Sequence, residues 1–121
     1  MRFSFFCVPD IYIAEMGIIM ENFSLERNGA NVVLHISEDL DHHAAAQISK
    51  TIDVLIEKGN VKNVVFDFSG LTFMDSSGIG MVMGRYRKVH YFGGNVFVTG
   101  VGSGIDRIFS MSGLYKIVQK V

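Results

Sequence analysis

The sequence is poor in cysteine, proline and tryptophan, and it carries little excess charge. Its 121 residues include one cysteine (Cys7), one proline (Pro9) and no tryptophan. A single cysteine cannot form a disulfide within the chain, so we expect the reducing cytoplasm as its compartment. The net charge is −1. This value argues against a nucleic-acid-binding protein, which normally carries a basic stripe.

Long hydrophobic runs are also missing. No stretch approaches the roughly 20 apolar residues that a membrane-spanning helix requires, so we expect no membrane insertion. Hydrophobic residues still make up 49% of the chain and charged residues 19%, which favours a packed core over disorder. A length of 121 residues fits one domain and hardly two.

The N-terminal segment does not fit the pattern that follows it. The apolar run Phe3–Val8 follows Arg2 and faintly resembles a secretion signal, but a proline and two acidic residues interrupt the segment. No small-x-small cleavage site follows. We therefore interpret residues 1–19 as an uncertain leader or an extra N-terminal segment, and we favour upstream codons before a start at Met20. The domain then occupies residues 20–121.

The spacing of apolar residues divides the rest of the chain into strands and helices. Glycine and asparagine pairs mark several of the boundaries between them. The predicted elements are a hairpin over residues 23–36 with a turn at Asn28-Gly29, a helix capped by Asp39 or Asp41 and ending near Lys58, a strand at Val64–Phe68, a helix carrying Ile79 to Val89, a strand at Asn95–Thr99, a short helix opened by Ser103 or the adjacent glycine, and a last strand at Tyr115–Val118.

This order predicts an α/β fold, namely a single domain with a mixed β-sheet of about 4–5 strands and helices packed on it. A helix of about four turns between two strands implies a right-handed crossover and parallel pairing. The apolar run at Val64–Phe68 predicts a strand covered on both faces. Gly80 and Gly84 lie four residues apart in the second long helix, and we interpret them as allowing a close approach to the sheet.

The segment Asp75-Ser76-Ser77-Gly78 lies where a loop enters that second helix. An aspartate or serine at a helix start caps free amide groups, which stabilises by about 0.5–2 kcal/mol. Capping needs only one such residue, however, and Gly78 in the first turn costs about 1 kcal/mol relative to alanine. A glycine there leaves the hydroxyl uncrowded and lets another backbone come close. Two functional interpretations therefore stand beside capping.

One interpretation is a catalytic nucleophile, but the G-x-S-x-G pattern of a nucleophile elbow is absent. The other is a phosphoacceptor serine. A phosphate at a helix N-terminus meets exposed amide groups and the positive end of the helix dipole, so the fold should tolerate it. The same added charge, about −1.5 to −2, is poorly tolerated in an interface with a partner. The apolar residues Leu71, Phe73, Met74 and Ile79 are candidate docking contacts.

Two other segments resemble ligand sites. Gly100 to Gly104 follows a strand and precedes a helix, as a phosphate-binding loop does, but it lacks the third dinucleotide-fingerprint glycine and a P-loop lysine. We interpret it as a flexible strand-to-helix turn. Asp41-His42-His43 contains metal-ligand residue types, but adjacent histidines point to different sides of a helix. No metal site is therefore expected.

Four segments carry the pattern of a known family: Leu40-Asp41-His42-His43-Ala44, Leu71 to Gly80, Gly84-Arg85-Tyr86, and Met111 to Ile117. In these segments the chain resembles the bacterial anti-sigma factor antagonists, and most closely the sporulation (stage II) antagonists of spore-forming Firmicutes. The resemblance covers about Glu21 to Val121. It implies a STAS domain, the fold shared with cytoplasmic tails of sulfate transporters.

In that family, the serine directly after the motif aspartate is phosphorylated by the anti-sigma factor, a kinase with a histidine-kinase-like ATP site. On this chain that serine is Ser76. The resemblance implies that the unphosphorylated chain binds the anti-sigma factor and releases the sigma factor. Phosphorylation breaks this complex, and a metal-dependent serine phosphatase restores it. A final helix usually follows the last strand in the family, so we expect this domain, which stops at Val121, to lack it.

The resemblance also implies roles for the neighbouring residues. Asp75 positions the acceptor hydroxyl, Ser77 supplies a helix-side hydroxyl, and the loop with Asp41 adjoins the same face. The predicted partner-binding residues are Asp41, Phe73, Met74, Asp75, Ser77, Gly78 and Ile79. No catalytic residue, cofactor or nucleic-acid partner is expected. The alternatives are a general stress-response antagonist and a STAS module that senses a small ligand or nucleotide through the Gly100–Gly104 turn.

Overall fold

A computed structural model describes residues 18–19, 23–36 and 40–121. The predicted Met20 start and most of residues 1–19 lie outside these ranges. The elements, in chain order, are β1 (Ile18–Ile19), β2 (Phe23–Asn28), β3 (Asn31–Ile36), α1 (His42–Glu57), β4 (Asn63–Asp67), α2 (Ser76–Tyr91), β5 (Asn95–Thr99), α3 (Ser103–Ser112), a 3₁₀ turn (Leu114–Lys116) and β6 (Gln119–Lys120).

The strands form one mixed sheet in the order β1-β2-β3-β4-β5-β6. The first three strands are antiparallel neighbours, and β3 to β6 run parallel. The α/β class and the mixed sheet are therefore as predicted. The strand count of six exceeds the expected four or five because β1, which pairs with β2 through Ile18 and Ile19, adds a short outer strand.

The helices cover one face of the sheet. Residues three and four apart in α1 are buried, and they include Ala44, Ile48 and Ile52, as the periodicity predicts. Within β4, Val64 and Phe66 are fully buried, whereas Val65 between them is half-buried. The expectation that Val64–Phe68 is covered on both faces is therefore wrong. The apolar residues of β4 form one fully buried face and one face that is partly exposed to solvent.

The chain between α3 and the sheet edge differs from its prediction. Instead of a strand at Tyr115–Val118, the backbone turns in a left-handed conformation at Gly113 (φ 81°) and forms the 3₁₀ turn. The carbonyl of Leu114 accepts from the amides of Ile117 and Val118, and this pairing withdraws the segment from the sheet. Strand β6 begins only at Gln119, which pairs with Phe97.

The carboxylate of Asp106 on α3 binds two side chains of this C-terminal segment. The Tyr115 hydroxyl donates to Asp106 Oδ1 at 2.6 Å, and Lys120 Nζ donates to the same oxygen at 2.8 Å. The ring of Tyr115 also packs edge-on against Phe109, which is fully buried. These contacts hold α3, the 3₁₀ turn and β6 together as one unit.

The imidazole of His35 links strands on the open face. Its Nε2 lies 2.7 Å from Glu26 Oε2 on β2, and its Nδ1 lies 2.7 Å from Asp67 Oδ2 on β4. Burial disfavours the imidazolium, but the two carboxylates together outweigh burial and raise the pKa of His35 above its usual 6.5. Asp67 is also desolvated, yet hydrogen bonds from Ser69 and His35 hold its pKa below the usual 3.8.

We predict that this cluster stabilises the fold most between about pH 4 and pH 6.5. The His35 contribution is complete below the pKa of an unfolded histidine and is lost as the pH rises through the higher folded-state pKa. The Asp67 contribution is complete above the unfolded aspartate pKa and is lost as the pH falls through the lower folded-state pKa. Urea unfolding from about pH 3 to pH 9 measures both limbs.

The matched control is His35→Gln, which keeps a polar side chain but cannot titrate. The difference in unfolding free energy between the parent and this variant should shrink as the pH rises above about 6.5. A difference that stays constant from pH 5 to pH 9 contradicts the role given to the imidazolium.

Candidate functional site

Two helix N-termini meet at the carboxyl edge of the parallel strands. Each strand–helix unit delivers its helix start to this edge, and a parallel bridge between Leu40 and Met74 holds the two entry segments side by side. The residues that follow the bridge are the helix caps. Asp41 Oδ1 accepts from the Ala44 amide at 2.8 Å, and Asp75 Oδ1 accepts from the Ser77 amide at 2.8 Å. The backbone thus places two acidic caps at adjoining positions.

Ser76 is the first residue of α2, and it is exposed. Asp75 performs the capping, and the Ser76 hydroxyl forms no hydrogen bond with the described residues. Ser77 is half-buried, and its Oγ lies 3.4 Å from His42 Nδ1 at the start of α1. The two serines therefore differ, since one hydroxyl faces solvent and the other faces the neighbouring helix.

Gly78 lies beneath these serines and is buried. A Cβ built on it would collide with the Met74 side chain and would come within 2.9 Å of Leu40 Cδ2. A larger residue at this position would force the buried side chains of Met74 and Leu40 to shift. The close neighbours are side chains rather than the approaching backbone that the sequence suggested. Gly78 lets the first turn of α2 sit directly on the bridged segments.

The predicted contact residues differ in their exposure to solvent. Asp41 and Asp75 are exposed, Phe73 keeps 57% of its surface exposed, and Ile79 is half-buried against the core. Met74 is only 1% exposed and Leu71 only 4%. The prediction that Met74 and Leu71 are docking contacts is wrong because both side chains belong to the core. The sequence before α2 does not show which of its apolar side chains become buried where Met74 pairs with Leu40.

Two clefts flank Ser76. The first, about 410 Å³ between α1 and α2, has a mixed lining that includes His42, Ser49 and Arg85 beside Ala45 and Met81. Arg85, which lines this cleft, forms an ion pair with Asp53, and the Nε and Oδ1 atoms are 3.0 Å apart. The angle at the Nε–H group does not meet the geometry of a hydrogen bond. The second, about 610 Å³ between α2 and α3, is mainly apolar.

The second cleft contains the predicted contact Ile79 together with two residues of α3, Ile108 and Met111, that sequence reasoning missed. Ile79 and Met83 of α2 face Ile108 and Met111 of α3 across it, and Asp75 and Ser76 lie at its edge. Met111 is 79% exposed. Its sequence signal was weak, because it falls outside the Ile105 and Phe109 stripe that α3 buries.

The other candidate sites are explained by the fold. A Cβ at Gly100 (φ +68°) would lie 2.7 Å from Asp67 Oδ1, so the turn at Gly100 is a tight backbone approach. Nothing lies within 4 Å of a Cβ built on Gly80 or Gly84, so the interpretation that they approach the sheet is wrong.

No group of three potential metal ligands occurs within the described ranges. Within those ranges, no helix has the length and apolar character to cross a membrane.

Comparison with protein families supports the resemblance seen in the sequence. A model described as the STAS domain matches residues 22–121. The anti-sigma F factor antagonist of Paenibacillus polymyxa is 33% identical over 94 residues, which cover 78% of this chain and 80% of the relative. The anti-sigma F factor antagonist of Lysinibacillus sphaericus is 37% identical over 83 residues, 69% of this chain and 71% of the relative.

Solved structures agree. The anti-sigma factor antagonist SpoIIAA in its unphosphorylated form is 34% identical, with a TM-score of 0.76 over 82% of this chain and 87% of the other. The Bacillus cell fate determinant SpoIIAA in the phosphorylated form is also 34% identical, with a TM-score of 0.70 over 82% of this chain and 90% of the other. The fold expected from the sequence is thereby confirmed.

We predict opposite effects of alanine at two neighbouring glycines of α2. Gly78→Ala forces a Cβ into Met74 and Leu40, and it should destabilise the fold by about 1–3 kcal/mol. Gly80→Ala adds a Cβ in open space within a helix, and it should stabilise the fold by about 0.5–1 kcal/mol. Urea denaturation of both variants measures the difference. Equal changes in both would show that the packing beneath Ser77 is not tight.

Proposed function

The chain belongs to the STAS domain family, and we propose that it acts within this family as an anti-sigma factor antagonist controlled by phosphorylation of Ser76. The observation that carries the proposal is the division between Asp75 and Ser76. The aspartate caps α2, which leaves the exposed serine hydroxyl free of hydrogen bonds to the described residues. The relatives named above are antagonists of anti-sigma F factors, which favours the sporulation branch over a general stress-response antagonist.

The position of Ser76 suits a reversible modification. A kinase can reach an exposed side chain at a helix start without unfolding the domain. The phosphate would face the positive end of the α2 dipole, where anions are stabilised by about 0.3–1 kcal/mol. We therefore propose that the phosphorylated and unphosphorylated chains have nearly the same fold.

The same phosphate would oppose binding to a partner. In the proposed cycle, the unphosphorylated chain binds the anti-sigma factor and releases the sigma factor, and the anti-sigma factor is also the serine kinase. A standard interface buries about 1,200–2,000 Å². An unpaired dianion within it need cost only about 3–4 kcal/mol to weaken the affinity several-hundred-fold. A metal-dependent serine phosphatase would regenerate the binding form.

We assign no catalytic role to the chain itself. His42 Nδ1 lies near Ser77 rather than against Ser76, so no base is placed on the acceptor hydroxyl among the described residues. A nucleotide-sensing role for the Gly100–Gly104 turn is less well supported, because Gly100 is accounted for by the close approach of Asp67. The lone cysteine and the absence of a spanning helix among the described residues agree with a cytoplasmic site of action.

We predict that incubation with the cognate anti-sigma factor and ATP adds one phosphate to the chain, at Ser76. Mass spectrometry of the intact chain and of its peptides locates the modification. Ser76→Ala should abolish labelling, and the matched variant Ser77→Ala should retain it because the Ser77 hydroxyl faces α1. Labelling that persists in Ser76→Ala would refute the assignment.

We also predict that Ser76→Asp weakens binding to the anti-sigma factor by at least about tenfold, since it places one charge where the phosphate would place two. Ser76→Ala should bind within about threefold of the parent. Isothermal titration calorimetry measures both affinities in the absence of ATP. Should Ser76→Asp bind as tightly as Ser76→Ala, charge at this position does not control the complex.

A further inference from the structure

The apolar cleft between α2 and α3, defined by Ile79, Met83, Ile108 and Met111, has one edge formed by the proposed acceptor residue. Its volume of about 610 Å³ exceeds the 410 Å³ of the cleft between α1 and α2 on the other side of Ser76. Asp75, Ser76 and Ser112 supply the polar groups at its boundary. Whatever protein reaches the Ser76 hydroxyl therefore also lies next to this cleft.

Met111 is not part of the hydrophobic core. It lies in the last turn of α3, two residues after Phe109, so it points away from the side that carries the buried Ile105 and Phe109. With 79% of its surface exposed, it contributes little to the core, although it is large and apolar. Its unbranched thioether side chain can adjust to the shape of a partner.

Phe73 is a second exposed apolar residue, on the loop before α2. Its side chain is 57% exposed, and it lies three residues before Ser76. Single exposed apolar side chains need no explanation. Met111, however, lines the same cleft as Ser76, and Phe73 is three residues from Ser76 in the sequence. Since the cleft has polar groups only at its boundary, it suits apolar side chains of a protein better than a charged small ligand.

We propose that the anti-sigma factor inserts apolar side chains into the cleft between α2 and α3, with Met111 as a principal contact. The inference rests on the proposed function, because it takes the kinase of Ser76 as the occupant. Affinity then comes from the apolar cleft and control comes from the serine at its edge. A phosphate on Ser76 would lose hydration where a partner closes over this cleft, whose lining residues include no lysine or arginine.

The test compares two replacements of Met111 by calorimetric titration with the anti-sigma factor. Met111→Glu places a charge in the apolar contact and should weaken binding at least tenfold. Met111→Leu keeps an apolar side chain of similar volume and should bind within threefold of the parent. Circular dichroism melts should show that both variants are folded, as expected for a side chain that is 79% exposed.

The matched control is Tyr91→Glu, which introduces the same charge at a residue that is 83% exposed, near the opposite end of α2. This variant should bind within threefold of the parent. Raising sodium chloride from about 0.1 M to 0.5 M should change the parent affinity less than threefold, because apolar contacts are not screened by salt. A large loss at high salt would instead assign the affinity to ion pairs and overturn the inference.

The outcomes separate the inference from the proposed function. If the parent binds and is phosphorylated at Ser76, but Met111→Glu binds within threefold of it, only the cleft assignment is wrong. The cleft assignment is equally wrong if Tyr91→Glu loses as much affinity as Met111→Glu. If the parent neither binds an anti-sigma factor nor accepts phosphate from it, the proposed function itself has failed.

Discussion

The structure depends on the parallel bridge between Leu40 and Met74, because it fixes two helix starts next to each other at one edge of the sheet. Parallel strands already send their following helices from the same edge. The bridge adds a direct backbone pairing between the two segments that lead into α1 and α2. Gly78 completes it, since a Cβ at this position would displace the side chains of Met74 and Leu40 on which the first turn of α2 rests. The position of Ser76 follows from these packing constraints.

Helix capping and phosphate acceptance, which look like competing explanations of Asp75-Ser76-Ser77, describe different residues in the structure. The carboxylate of Asp75 satisfies the Ser77 amide, and the Ser77 hydroxyl faces His42. Ser76 is left with neither task and faces solvent. A chain that relied on Ser76 as the cap would lose a stabilising hydrogen bond whenever the serine was modified. Here the capping role of Asp75 and the proposed regulatory role of Ser76 fall on adjacent side chains.

Much of the fold could be predicted because its signals are local. The spacing of Ile48, Ile52 and Ile56 identifies α1, and the Asn28-Gly29 turn identifies the hairpin. The errors come from features that depend on distant residues. Met74 looks like a surface residue until its pairing with Leu40 is known, and the apparent strand at Tyr115–Val118 yields to a turn set by Gly113.

The sequence indicated the junction at the start of α2 because an acid, two hydroxyls and a glycine are grouped there, and the resemblance to the antagonist family selected Ser76 over Ser77. The apolar cleft was not predictable, since Ile108 and Met111 belong to a helix about thirty residues further along the chain. Hydrophobic periodicity reports which residues of α3 face its own core. It carries no information on which exposed residues of α3 lie opposite α2. Only the three-dimensional arrangement of the two helices brings Met83 and Met111 to one surface.

Both outer strands of the sheet, β1 and β6, are only two residues long. Where β1 ends, the edge of β2 continues with Glu26 and Arg27, and β6 carries Lys120. Short, charged edges are poor templates for pairing with strands of other molecules. Within the described residues, these edges disfavour edge-to-edge pairing between molecules, and the candidate site lies apart from them, where α1 and α2 begin.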